Sequence, residues 1–241
     1  IDNFFRNMLL NLHGTRLPQN RGGGGPSWKI LMGEKLGNCL IHRVDSGVDT
    51  GEIVDWEEFI YPPSARKPID YQNEDLKKNF FFVKRFINKL RHGELETNSI
   101  NQTEYLSSYW PRLHTNTNGW INWSWSGQDL ERFICAFDEP YPGAQSLLCG
   151  QKVRLKSAVL TAPEFGFHPF QGGLIYRANT SWCCVAVDGG TLIIEELVND
   201  QGDNLITSVK VGDRFETPNK YLEDALTRPI YTSTGLKKSK N

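Results

Sequence analysis

Cysteine is scarce and badly spaced for structural work. There are five, Cys39, Cys135, Cys149 and the adjacent Cys183 and Cys184. An odd count in a chain of 241 residues speaks against a disulfide framework. The lack of any C-x-x-C pair speaks against a thiolate zinc site. The expectation is reduced, mostly buried thiols and a cytoplasmic protein. No apolar run approaches the roughly 18 residues of a membrane helix, so no membrane partner is expected. The opening Ile1-Asp2-Asn3-Phe4 has neither the basic start nor the apolar stretch of a secretory signal. What remains is ordinary for a soluble globular chain, 39% hydrophobic and 23% charged. Aromatic residues, at 12% with seven Trp, are plentiful and read first as core.

Residues 8–13 read as a short buried strand from Met8 that turns polar at Asn11 and His13. Side chains alternate along a strand, so these two share a face. Trp28 to Lys35 reads as a helix after Pro26-Ser27, and Cys39 to Val44 and Ile53 to Phe59 read as strands. Residues 73–92 are the clearest helix, with Leu76, Phe80, Val83, Ile87 and Leu90 in one stripe and Gly93 placed to cap it. Strands alternating with helices predict an α/β domain over 1–93 with a mostly parallel sheet. Residues 94–119 are polar and read as a surface linker. Ser126 and Asp129 form a capping box ahead of a helix. Short strands over 152–160, 173–178, 182–187 and 191–198 then predict a small, mostly β domain over 120–220, with a tail at 221–241.

The chemistry-bearing residues gather in two stretches, "LLNLHGTRLPQNRGGGG" (9–25) and "HRVDSGVDTGEIV" (42–54). In open α/β sheets ligands bind beyond the carboxyl ends of strands. With parallel strands, Asn11 and His13 would meet Asp45 or Asp49 at that edge. An amide, an imidazole and a carboxylate together make an acid–base and oxyanion set. The glycine run Gly22, Gly23, Gly24 lets backbone or substrate approach closely. Arg21 and Trp28 are candidates for holding an anion or stacking a ring.

The order N-x-H-G-T-x-L-P, then R-G, then D-x-G-x-D-T-G, with 38 positions between Asn11 and Asp49, resembles the 10-formyltetrahydrofolate-dependent formyltransferases. The resemblance continues through "INWSW" (121–125) and the P-Y-P-G-A turn at Pro140 to Ala144, and covers roughly 8–200. It implies a partial nucleotide-binding-like domain followed by an OB-like domain. It implies 10-formyltetrahydrofolate as the formyl donor, a primary amine as acceptor, and Asn11, His13 and Asp49 as the catalytic set. Asn11 and a protonated His13 would stabilise the developing oxyanion, Asp49 would take up the amine's proton, and no metal is required. Arg21, Gly22, Gly23, Gly24, Trp28 and Asp45 would line substrate or cofactor.

Relatives carry a further nucleotide-fold half before the Asn-x-His strand, so the chain reads as a truncated piece that binds folate weakly by itself. They also have R-G-A-A-P where this chain has R-G-G-G-G-P. Residues 1–93 hold 14 basic against 11 acidic residues, and 94–241 hold 13 against 17. A tRNA partner favours a basic C-terminal domain. The acidic balance points to a small acceptor, the amino group of a nucleotide-linked sugar. A methionyl-tRNA acceptor is the alternative, and a non-catalytic remnant of the fold is the reading from another class. A homodimer is one expected assembly.

Overall fold

The computed structural model describes residues 9–94, 99–162, 166–232 and 235–237. Met8 of the expected strand, linker residues 95–98, and Lys238 and Lys240 of the expected tail lie outside these. The chain divides into two compact units, 1–29 with 34–112 and 30–33 with 113–241.

The first unit is built on a three-stranded sheet in the order β1 (Leu10–His13), β3 (Leu36–Arg43) and β4 (Ile53–Ile60). Both pairings are antiparallel, which corrects the mostly parallel sheet expected from the sequence. The β3–β4 connection spans only 44–52, shorter than the dozen or so residues a parallel crossover needs. Between β1 and β3 the chain leaves the sheet as β2 (Arg21–Gly22), passes through helix α1 (Gly25–Met32), and re-enters beside the end of β1. His13 therefore faces Leu40, and Leu10 faces Arg43.

Helix α2 (Pro68–His92) packs against β3. Pro68 opens it, Asp70 Oδ2 accepts from the Arg66 and Lys67 amides at 2.9 Å, and left-handed Gly93 closes it. Its buried side chains are Pro68, Tyr71, Phe82 and Phe86. The predicted stripe is on the other side: Leu76 is 70% exposed and Phe80 65%. Periodicity locates a stripe, and here the face that carries Tyr71, Phe82 and Phe86 turns inward, while Phe80, a ring of the same size, stays exposed. Beyond α2, the segment expected as a linker supplies β5 (Tyr109–Trp110), which pairs parallel with β2.

The second unit begins with short α3 (Thr115–Asn118), followed by α4 (Gly127–Ala136). The Ser126 hydroxyl accepts from the Asp129 amide as the capping box predicts. Six antiparallel strands follow in the order β11-β6-β7-β10-β9-β8, where β6 is Ala144–Leu148, β7 Gln151–Thr161, β8 Ile175–Ala178, β9 Cys183–Val187, β10 Gly190–Val198 and β11 Phe215–Glu216. The two edges meet: Leu174 bridges Arg214, and the Phe215 amide donates to Gly173 O at 2.9 Å. The sheet thus curls onto itself as a small barrel, the closure that removes free edges. Helix α4 covers β7, and Trp123 stacks on Phe215 while its indole N–H donates to Ser146 Oγ at 2.9 Å. The expected tail starts as a helix, α5 (Asn219–Ala225), with Tyr221 stacked on Trp120.

Candidate active site

Strand alternation sets Asn11 and His13 on one face of β1, and the register adds His42 opposite Asn11. The Asn11 Nδ2 group donates to His42 Nε2 at 3.1 Å, and His42 Nδ1 donates to Arg43 O at 2.8 Å. The Thr15 hydroxyl donates to Asn20 O at 2.7 Å and so accepts from His13 Nε2 at 2.6 Å. His13 Nδ1 is then left facing Asp49 Oδ1 at 3.8 Å. In this assignment every ring nitrogen except His13 Nδ1 has a hydrogen-bond partner. The two imidazoles meet edge to face, 5.8 Å between centroids.

Asp49 reaches the cluster by a route the sequence did not suggest. With β1 and β3 antiparallel, the end of β3 lies beside the start of β1, not its end. The 44–52 loop folds back, with Asp49 itself in the left-handed region at φ 55. The Gly22 amide donates to Asp49 Oδ2 at 2.9 Å. From the far side of the sequence, Gln102 Nε2 donates to Asp49 O and Gly51 O at 2.8 and 2.7 Å. Asp49 Oδ1 is also 3.6 Å from His42 Nε2. The His42 imidazole, assisted by the Gly22 amide and opposed by burial, holds the Asp49 carboxyl below the ordinary carboxylate range. Burial pushes His13 below its ordinary value, against the pull of Asp49. The resting pair is therefore a neutral imidazole beside a carboxylate, where the sequence reading starts from a protonated His13.

The remaining candidates divide. Gly22 belongs to the cluster through its amide. Gly23 donates its amide to Trp110 O, and Gly24 O accepts from the Trp28 amide, so both shape the turn. Arg21 is buried, with its guanidinium taken by Gln102 Oε1 and Glu104 Oε2, not turned to an outside anion. Trp28 donates its indole N–H to Pro111 O and lies beside Trp110. Asp45 is exposed and stays local, accepting from the Gly47 amide and the Thr50 hydroxyl as a turn residue. His42, Thr15 and Gln102 were not singled out from sequence. His42 carries the same signal as His13, a polar ring closing an apolar strand, and Gln102 has no local signal at all.

On the same sheet face, one strand pair away, is a cavity of about 220 Å³ lined by Leu17, Asn38, Leu40, Ile53, Trp56 and Gln102 among others. Leu40 faces His13 on one side and Trp56 on the other. Asn38 is buried, and its Oδ1 has no hydrogen-bond partner among the described residues.

Residues 114–208 match the family model described as formyl transferase, C-terminal domain. The chain is 26% identical over 210 residues to a methionyl-tRNA formyltransferase of Acetivibrio thermocellus, covering 85% of this chain and 65% of that one. Over most of its length the chain is thus similar to formyltransferases. It is also 27% identical over 150 residues to the bifunctional polymyxin resistance protein ArnA of Wigglesworthia glossinidia brevipalpis, across 59% of this chain and 21% of ArnA. Its fold is shared with the N-formyltransferase of Helicobacter canadensis, crystallised with folinic acid and dTDP-3-aminofucose. The TM-score is 0.63 at 22% identity, over 80% of this chain and 67% of that one. The chain spans about two thirds or less of the length of the curated relatives it matches.

Proposed function

We propose that this chain carries the catalytic cluster of a formyl transfer from 10-formyltetrahydrofolate to a primary amine. The observation that supports it is the contact chain Asn11–His42–Asp49–His13, anchored by the Gly22 amide. The donor supplies a formyl carbon already held as an amide, with reduced folate as its leaving group. The chain's groups fit that need. Asn11 offers an amide N–H where oxygen gains charge, a contribution typically worth about 3–4 kcal/mol of barrier. Neutral His13, with its Nδ1 lone pair free, takes the proton of the attacking amine. Asp49 lies 3.8 Å away and stabilises the imidazolium so formed, which can return the proton to the departing nitrogen. Thr15 fixes the His13 tautomer by accepting at Nε2.

The favoured acceptor is the amino group of a nucleotide-linked sugar. The acidic balance of 94–241 supports it, and the H. canadensis enzyme was crystallised with dTDP-3-aminofucose. In this reading the cavity under Trp56 takes part of the acceptor, with Asn38 Oδ1 open to an N–H group. Methionyl-tRNA is the second reading, favoured by the extent of sequence match to methionyl-tRNA formyltransferases. Radiolabelled formyl transfer, assayed against an amino-sugar nucleotide panel and against methionyl-tRNA, separates the two. Trp56→Ala should raise KM for the acceptor more than it lowers kcat. Transfer to neither amine leaves the non-catalytic reading and refutes the proposal.

A further inference from the structure

The cluster holds one more ligating group than the amide, imidazole and carboxylate that the transfer uses. His13 Nδ1, His42 Nε2 and Asp49 Oδ1 present three ligand atoms that all lie within 4.8 Å of one another. The His13–Asp49 and His42–Asp49 separations are 3.8 and 3.6 Å. Ligands at about 2.0–2.1 Å around a tetrahedral zinc ion are about 3.3–3.4 Å apart, so these edges need to close by only a few tenths of an ångström. Each ligand also has its outer partner in place. His42 Nδ1 donates to Arg43 O, His13 Nε2 donates to Thr15 Oγ1, and the second Asp49 oxygen is held by Gly22. Ligating imidazoles in metalloproteins are oriented by such outer contacts.

We propose that a zinc ion binds at His13, His42 and Asp49, with water in the fourth position, and that bound zinc blocks formyl transfer. Two imidazoles and one carboxylate suit zinc, whereas magnesium and calcium prefer all-oxygen sets. Inhibition follows from the lone pairs involved. Zinc consumes the Nδ1 lone pair of His13, and it displaces the Asn11 amide from His42 Nε2. The binding rests on ligand geometry alone. The inhibition rests on the formyl-transfer reading.

The test uses the purified protein with Cys149→Ser, because Cys149 is an exposed thiol that could bind metal by itself. Cobalt(II), added without folate or amine, should give saturable visible bands of tetrahedral intensity that zinc erases and magnesium leaves alone. His42→Gln and Asp49→Asn should each weaken cobalt binding at least about tenfold, while His168→Gln, at an exposed imidazole, leaves it unchanged. Zinc-edge X-ray absorption on the unsubstituted protein should show two imidazoles and oxygen near 2.0–2.1 Å, with no sulfur near 2.3 Å. That measurement decides the matter if the variants do not fold. Absence of saturable binding, a sulfur shell, fewer than two imidazoles, or affinity untouched in folded His42→Gln would each overturn the site. Binding as described without loss of transfer would overturn the blocking role and count against the transfer mechanism, while leaving the site itself standing.

Discussion

Gly22→Ala is the sharpest test of how the carboxylate is held. Gly22 has φ 102, and a Cβ built on it would lie 2.3 Å from Trp110 O and 2.9 Å from the Tyr109 ring. The first obstacle is backbone, fixed by the β2–β5 pairing, so it cannot swing aside. A side chain in left-handed backbone costs about 1–2 kcal/mol, and forced overpacking adds about 1–3 kcal/mol. The expected loss is therefore about 2–5 kcal/mol, expressed where β2 and β5 pair. Urea unfolding gives the total, and amide exchange at Gly23, whose N–H donates to Trp110 O, gives the local share. Gly14→Ala is the control. Nothing lies within 4 Å of its Cβ position, and its φ is not left-handed. It should stay within about 0.5 kcal/mol of the parent. A Gly22→Ala protein as stable as the control, with unchanged exchange at Gly23, would refute the reasoning.

Asp49→Asn keeps an oxygen for the Gly22 amide but removes the charge beside His13, so stability at neutral pH should fall to about the level the parent reaches once Asp49 is protonated, while kcat falls about 10²–10⁴-fold; a kcat within tenfold of the parent would exclude the role given to the carboxylate. In EDTA, stability should decline on acidification in two windows. Folded His13 resists a proton that the unfolded chain accepts below about pH 6.5, and the depressed Asp49 is protonated more readily unfolded below about pH 3.9. His13→Gln should remove the upper window, and thermal melts across pH 3–8 check both. On α2, Phe82→Ala should cost about 3–5 kcal/mol and Phe80→Lys less than about 0.5 kcal/mol, the reverse of what the stripe alone implies.

Much of this molecule was legible because its signals are local. The N-x-H alternation, the Ser126–Asp129 box and the breaks around 172–190 each act within a few residues, and the structure keeps the elements they mark. Strand direction was not legible, because hydrophobic pattern is the same for a strand read either way. Only the short 44–52 connection held that information. The buried face of α2 was missed because two apolar stripes with aromatics of equal size compete on one helix, and pattern alone does not say which one meets the sheet. His42 and Gln102 join Asn11 and Asp49 only through register and loop return, across 31 and 53 positions, and a linear reading has no measure of that.

Gln102 fastens the Asp49 loop from a segment that follows α2, which gives the chemistry a late assembly step. A nascent or cleaved chain ending before that glutamine would hold both imidazoles in their sheet yet leave the acid's loop without its two Gln102 contacts, with the Gly22 amide still on the carboxylate. Full restraint of the acid would then depend on a residue that lies beyond every strand of that sheet in the chain.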